Sequence, residues 1–183
     1  VRRADAQAAR WAYGAAGEEA TARLLDPLRA EGWHVWHDLR LTGRRFNVDH
    51  LLMPPTAAGL VMPDTKRWRR NWPTQLVGGR LHCGPEDRHG QAQKVAEYAE
   101  AVAMAVGLPP ANVIPLLLVH GSPVAGGFLW APVSTVHGRV LVVGPDMLLG
   151  VLRGAVEGLP DSYVARALAV RVNAVLRPYV QGA

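Results

Sequence analysis

Apolar positions recur along this chain in two rhythms, and the rhythms alternate. From residue 4 to about 31 the sequence is rich in alanine and charge and has helical spacing. Glu18, Thr21, Ala22, Leu25 and Leu28 fall along one side of that helix. Gly14 and Gly17 are expected to interrupt it, Asp26-Pro27 to kink or restart it, and Gly32 to end it. Strands are then expected over Trp33 to Leu41 and Phe46 to Met53, joined by a turn at Thr42-Gly43-Arg44-Arg45. A third strand, Gly59 to Lys66, is entered through Pro54-Pro55, and Gln75 to Cys83 reads as a short hairpin around Gly78-Gly79. Helical spacing returns from about Arg88 to Val106 and stops at Gly107, with Pro109 and Pro110 beyond. Val113 to Val119 is a buried strand, followed by shorter ones at Gly127 to Pro132 and Arg139 to Val143. Gly144-Pro145-Asp146 opens a helix to about Leu152, and Asp161 to Leu176 is a longer amphipathic one. This order predicts one α/β sandwich built on a mixed sheet, with no internal repeat and no low-complexity linker.

Two acids break that pattern. Asp49 sits inside the otherwise apolar stretch from Val48 to Met53, and Asp64 follows Leu60-Val61-Met62 and Pro63. Aspartate is poorly suited to strands, and a carboxylate in mid-sheet needs a partner or it neutralises. In a strand, side chains at i and i+2 share a face about 7 Å apart, so Asp64 and Lys66 point the same way and Thr65 points the other. If the second and third strands pair, Asp49 lies beside Asp64. Two carboxylates and an ammonium on one spot suit a divalent cation and an attacking water. The plainer alternatives are an Asp49 paired with Arg44, Arg45 or His50, and a Lys66 that merely neutralises Asp64. The same anomaly on two adjacent strands favours the chemical reading. Helical phase puts Glu18 at the margin of the buried stripe and turns Glu19 toward solvent, so Glu18 is the candidate acid of the first helix.

Composition narrows the classes. The chain has 183 residues, 49% of them hydrophobic, which allows one domain with a substantial core. Its formal charge of +5 is compatible with a polyanionic partner. Cys83 is the only cysteine, which excludes an intrachain disulfide and a thiolate zinc cluster and fits a reducing, cytoplasmic setting. The seven histidines form no metal pattern, and His50 and His120 read as core or supporting residues. No apolar run reaches membrane-spanning length, and the opening Val-Arg-Arg-Ala-Asp lacks a signal-peptide core. Without an initiator Met, the sequence reads as a trimmed chain or as part of a larger multidomain protein. Walker, dinucleotide-binding and nucleophile-elbow motifs are absent. After Lys66 comes Arg67-Trp68-Arg69-Arg70-Asn71-Trp72, a basic and aromatic run suited to phosphate contacts and base stacking; the rival reading is a loop whose tryptophans cover the sheet edge. Gln91 shares a helix face with Val95, Tyr98 and Val102 and is expected to point into the cleft, whereas Gln93 lies off that face.

The run Gly14-Ala15-Ala16-Gly17-Glu18, then Asn47-Val48-Asp49-His50, then Asp64-Thr65-Lys66-Arg67-Trp68 resembles the nuclease-related domain (NERD) family of the restriction-endonuclease-like, PD-(D/E)xK nuclease superfamily. The likeness covers about residues 14–106; the segments over 113–178 match only in general style. It implies a three-layer sandwich with a central mixed sheet flanked by helices, taking residues 1–183 as one domain. It also implies Mg²⁺ or Mn²⁺ held by Asp49, Asp64 and the Thr65 carbonyl, with Lys66 orienting or activating the water and Glu18 completing the site. The implied activity is metal-dependent cleavage of DNA, endonucleolytic or exonucleolytic. The alternative is a module of the same fold that binds nucleic acid with little or no catalysis. A homodimer is compatible with either. The second acid is Asp where Glu is commoner in such sites, and Pro63 before it is awkward in a central strand and predicts a bulge or a missing ladder bond.

Overall fold

The computed structural model describes residues 2–179, with side chains from Asp5 onward. Helix α1 (Arg2–Leu25) leads into a single turn, α2 (Pro27–Ala30), restarted at Pro27. Three strands follow: β1 (His34–Leu41), β2 (Asn47–Met53) and β3 (Leu60–Arg67). A small separate sheet holds β4 (Thr74–Val77), β5 (Arg80–Cys83) and β6 (Glu86–Asp87). Helix α3 (His89–Val106) is closed by Gly107 at φ +74°, the left-handed cap that glycine adopts most readily. Then come β7 (Val113–His120), β8 (Phe128–Pro132), β9 (Arg139–Val143), α4 (Pro145–Gly154), α5 (Ser162–Val175) and β10 (Leu176–Pro178).

The main sheet has seven strands in the order β10-β1-β2-β3-β7-β9-β8. Only the β3–β7 and β7–β9 neighbours are parallel, so the sheet is mixed, as expected. Alternation along β3 and β7 divides two cores. Leu60, Met62, Leu117 and Val119 pack under α3 and α5. Val61, Leu116 and Leu118 pack with Leu25, Leu28, Leu148 and Leu152 of α1, α2 and α4. The product is a three-layer sandwich, and the strands that follow residue 120 belong to the same sheet as those before it.

One expectation about α1 fails. The helix runs unbroken through Gly14 and Gly17. Residues 5–16 are exposed and Gly17 is the first buried position, so the glycine marks where the helix docks. A Cβ there would lie 2.8 Å from Arg67 Cδ and 3.2 Å from Thr65 Cγ2. Gly17 is therefore a close-approach residue that lets α1 settle on β3. Gly17→Val is expected to destabilise the protein by about 1–3 kcal/mol through overpacking, read from the urea midpoint. A variant as stable as the parent would refute that role.

Candidate active site

The site forms where β2 and β3 stop pairing. Their register has one bridged position, Leu52 opposite Val61, and continuing it would set Asp49 opposite Asp64 and His50 opposite Pro63. Instead, the Thr65 amide donates to Asp49 Oδ2 at 3.0 Å, so the N–H of Thr65 points toward β2. Backbone direction alternates along a strand, so the ring nitrogen of Pro63 also faces β2 and offers it no donor. The missing ladder bond anticipated at Pro63 is present, and a carboxylate takes up the strand bond beyond it.

A second irregularity lies next to it. Val48, Leu51 and Met53 all enter the core under α3, so the in–out alternation of β2 slips between Val48 and Asp49. In β1, at the same level, Asp38 has φ +50° and is skipped in a register that pairs His37 with His50 and Leu39 with Val48. The slip leaves Asp49 on the side of the sheet that Asp64 occupies.

Asp64 and Lys66 project together and form an ion pair. Apart from that ammonium, Asp64 Oδ2 is buried with no hydrogen-bond partner. Lys66 Nζ also donates to the Thr65 carbonyl at 3.4 Å. Burial works against the Lys66 charge but is outweighed by Asp64, with Asp49 and Glu18 adding, so its pKa lies above the ordinary lysine value. Asp49 is pushed up to about 7 by burial first and then by the Asp64 charge; the Thr65 amide and Lys66 oppose the rise. Glu18 is exposed on α1 and lines a separate cleft with Asp38 and Asn47; its pKa is raised by partial burial and then by Asp38 and Asp64. Glu19 instead meets Arg23 on the exposed side at 3.3 Å, as helical phase predicted. Neither Arg44, Arg45 nor His50 pairs with Asp49, so the plain reading of that acid finds no support among the described contacts.

Thr65 is held by every polar group it has. On the face away from Asp64 its hydroxyl meets Thr21 Oγ1 at 2.8 Å and His50 Nε2 at 3.4 Å. Thr21 in turn donates to the Gly17 carbonyl and contacts His120 Nε2 at 2.9 Å, and His50 Nδ1 lies 2.8 Å from His37 Nδ1. One proton assignment satisfies the chain. Thr65 and His120 donate to Thr21, neutral His50 donates to Thr65 through Nε2, and His37 donates to the free Nδ1 of His50. It requires an uncharged His50, and burial, then the neighbouring His37 and His120, hold that imidazole down at about 3. His50 and His120 are thus supporting residues behind the strand, as expected.

Gln91 lies with Asp64, Lys66, Lys94 and Tyr98 around a cavity of about 270 Å³, and its Oε1 is buried without a partner. Gln93 turns away to Ser134 and Glu97. The basic run after Lys66 needs correction. Trp68 is 5% exposed and packed in the core under α3, so its ring is not available for base stacking. Arg67 lies over Tyr13, 3.8 Å from the ring centroid, and donates to the Tyr13 carbonyl, fastening α1 to β3. Arg69 and Arg70 are exposed, with Arg69 over Trp72. Sequence reasoning passed over Asp38 and Lys94. Asp38 is a third strand aspartate with the same anomaly as Asp49, and Lys94 follows Gln91 by one helical turn.

No three His, Cys, Asp or Glu side chains gather tightly enough among the described residues to form a ready ligand set. The donors still suit a hard cation. Lys66 is a positive group touching both Asp64 and the Thr65 carbonyl, and Asp49 is a neighbouring carboxylate whose charge is insufficiently compensated.

A mixed sheet between helical layers, with its acids and lysine where the central strands part, defines a restriction-endonuclease-like fold. The family model of the nuclease-related domain, NERD, matches residues 13–120, and the chain belongs to that family. Searches of curated proteins and of solved structures returned no match.

Proposed function

We propose that this nuclease-related domain hydrolyses phosphodiester bonds of DNA with Mg²⁺ or Mn²⁺ held by Asp49, Asp64 and the Thr65 carbonyl. The observation that carries the reading is the Asp64–Lys66 pair beside Asp49 at the interrupted β2–β3 ladder. A divalent ion bound there would polarise the phosphate, lower the pKa of a water and offset charge developing on the scissile group. The protein supplies the rest. Thr65, anchored by its amide and hydroxyl, holds its carbonyl fixed at the site. Lys66, a compact charge beside Asp64, would present a point charge to the attacked phosphate and its water. Glu18, whose raised pKa eases proton uptake, completes the site from α1. Gln91 and Lys94 offer polar contacts to the substrate from α3, and Arg69 and Arg70 are exposed beyond β3. A single buried Cys83 fits work in a reducing compartment such as the cytoplasm, and no helix among the described residues is long and apolar enough to cross a membrane.

A second reading, DNA binding without efficient cutting, is favoured by one observation: Lys66 is already pinned on Asp64, a shorter acid than Glu, and occupies the spot a cation needs. Incubation with linear, circular and single-stranded DNA in Mg²⁺, Mn²⁺ or EDTA separates the two. Cutting in either metal that EDTA abolishes is the expected result. Cutting that survives EDTA would overturn metal dependence, and binding without cutting would select the second reading.

A further inference from the structure

The catalytic cleft is acidic, which poses a problem for a polyanionic substrate. Glu18, Asp49 and Asp64 gather around Lys66, Asp38 adds a further acid beside Glu18, and Lys94 is the other lysine of the cavity, so acids outnumber cations and a phosphate backbone approaching them is repelled unless a basic surface holds it nearby. The run after β3 supplies only exposed Arg70 and Arg69, the latter lying over Trp72, since Arg67 is engaged with Tyr13 and Trp68 is in the core.

A more suitable surface lies at the other side of the acids. The β1–β2 turn and β10 enclose a cleft of about 410 Å³ lined by Arg40, Arg44, Arg45, Arg177 and Tyr179, with no acid among its lining residues. All four arginines are exposed, and none forms an ion pair among the described residues. Arg40 and Arg177 are directly opposite each other in the antiparallel β1–β10 register. Like charges in that position destabilise a sheet, so an external anion would relieve a cost the fold otherwise bears. The arginine cleft also adjoins the acids. Tyr179 lines it and equally lines the neighbouring cleft that contains Trp11, Glu18, Asp38 and Asn47. The Tyr179 amide donates to the Asp38 carbonyl at 2.8 Å, which fixes the shared wall.

We infer that this arginine cleft is the phosphate-backbone anchor for duplex DNA, holding the duplex beside the acid cluster. The inference rests on the nuclease reading for its partner, but it concerns binding and not cutting. Guanidinium groups with a single, half-buried tyrosine suit contacts to phosphates, which are independent of base identity, and lack the stacking platforms that single strands use.

The test is fluorescence anisotropy of a short labelled DNA duplex with the full chain in EDTA, titrated over a range of salt concentrations. Each phosphate contact contributes about 0.9 to the slope of log K against log salt. Arg44→Ala/Arg45→Ala and Arg40→Ala/Arg177→Ala are each expected to flatten the slope by about 1.8 and to weaken binding roughly 60-fold at 0.1 M salt. Arg166→Ala, removing an exposed arginine of α5, is the charge control and is expected to leave the slope unchanged. Thermal melts of all variants establish that they are folded. Unchanged slopes in both double variants, absence of duplex binding by the parent, or equally tight and equally arginine-dependent binding of a single strand would each overturn the inference. Arginine-dependent binding with no cutting in either Mg²⁺ or Mn²⁺ would sink the hydrolytic reading alone, and metal-dependent cutting with unchanged slopes would sink this inference alone.

Discussion

Lys66→Ala is expected to lower metal-dependent DNA cleavage by about 10²–10³-fold, the usual loss when a fixed group that stabilises transition-state charge is removed. Substrate binding should change little, because Lys94 also lines the cavity and Lys66 faces Asp64 in the free protein. The loss should therefore appear in kcat and not in KM. Lys66→Arg should not restore the rate. A guanidinium is a wide planar fork, while Lys66 fits between Asp64 and the Thr65 carbonyl as a compact charge. Removing the ammonium also leaves the buried Asp64 oxygen without a partner beside Asp49, so the variant should be less stable without metal and regain stability on adding Mg²⁺. Single-turnover cleavage and melts with and without Mg²⁺ read these effects together. A Lys66→Ala rate within tenfold of the parent would remove Lys66 from the chemistry.

How visible each part was from sequence depends on how local its cause is. Asp49, Asp64 and Lys66 were legible because an acid in an apolar strand is anomalous on its own, whatever lies around it. Glu18 followed from helical phase, which needs only the helix. Pro63 was legible for the same reason, since its missing donor is a property of the residue; which neighbour loses the bond became clear only from the direction of the Thr65 amide. Gly17 was misread because its meaning lies in Arg67 and Thr65, about fifty residues away in sequence, and a breaker in a helix looks alike whether it interrupts or admits a neighbour. Trp68 was misread because alternating basic and aromatic residues do not reveal which ring turns inward. Its amide bonds the His120 carbonyl, prolonging β3 alongside β7 and turning the indole into the core. Leu176–Pro178 is too short to be read as a strand and becomes one only by pairing with β1. That pairing is what sets Arg177 against Arg40, so the arginine cleft was out of reach of any local pattern.

Asp49→Asn is expected to stabilise the metal-free protein at pH 8 and to make no difference below about pH 4. Asp49 titrates at about 7 in the folded protein, because burial and Asp64 disfavour its charge, against an ordinary carboxylate value when unfolded. A carboxyl with a raised folded value binds its proton more tightly in the native state. Its contribution is full at low pH, declines as pH climbs past the unfolded value, and is gone once pH passes about 7. Asparagine keeps an oxygen for the Thr65 amide and cannot ionise, so it escapes that decline. The gain at pH 8 should be a few kcal/mol, or about 5 °C or more in melting temperature for a chain of this size. A bound divalent cation relieves the same repulsion in the parent by attraction instead of neutralisation. Mg²⁺ should therefore raise the parent's melting temperature at pH 8, do little at pH 4, and act weakly on Asp49→Asn at either. Stabilisation by asparagine without any response of the parent to Mg²⁺ or Mn²⁺ would mean that these acids repel one another with no ion to hold, and the metal-dependent reading would fall.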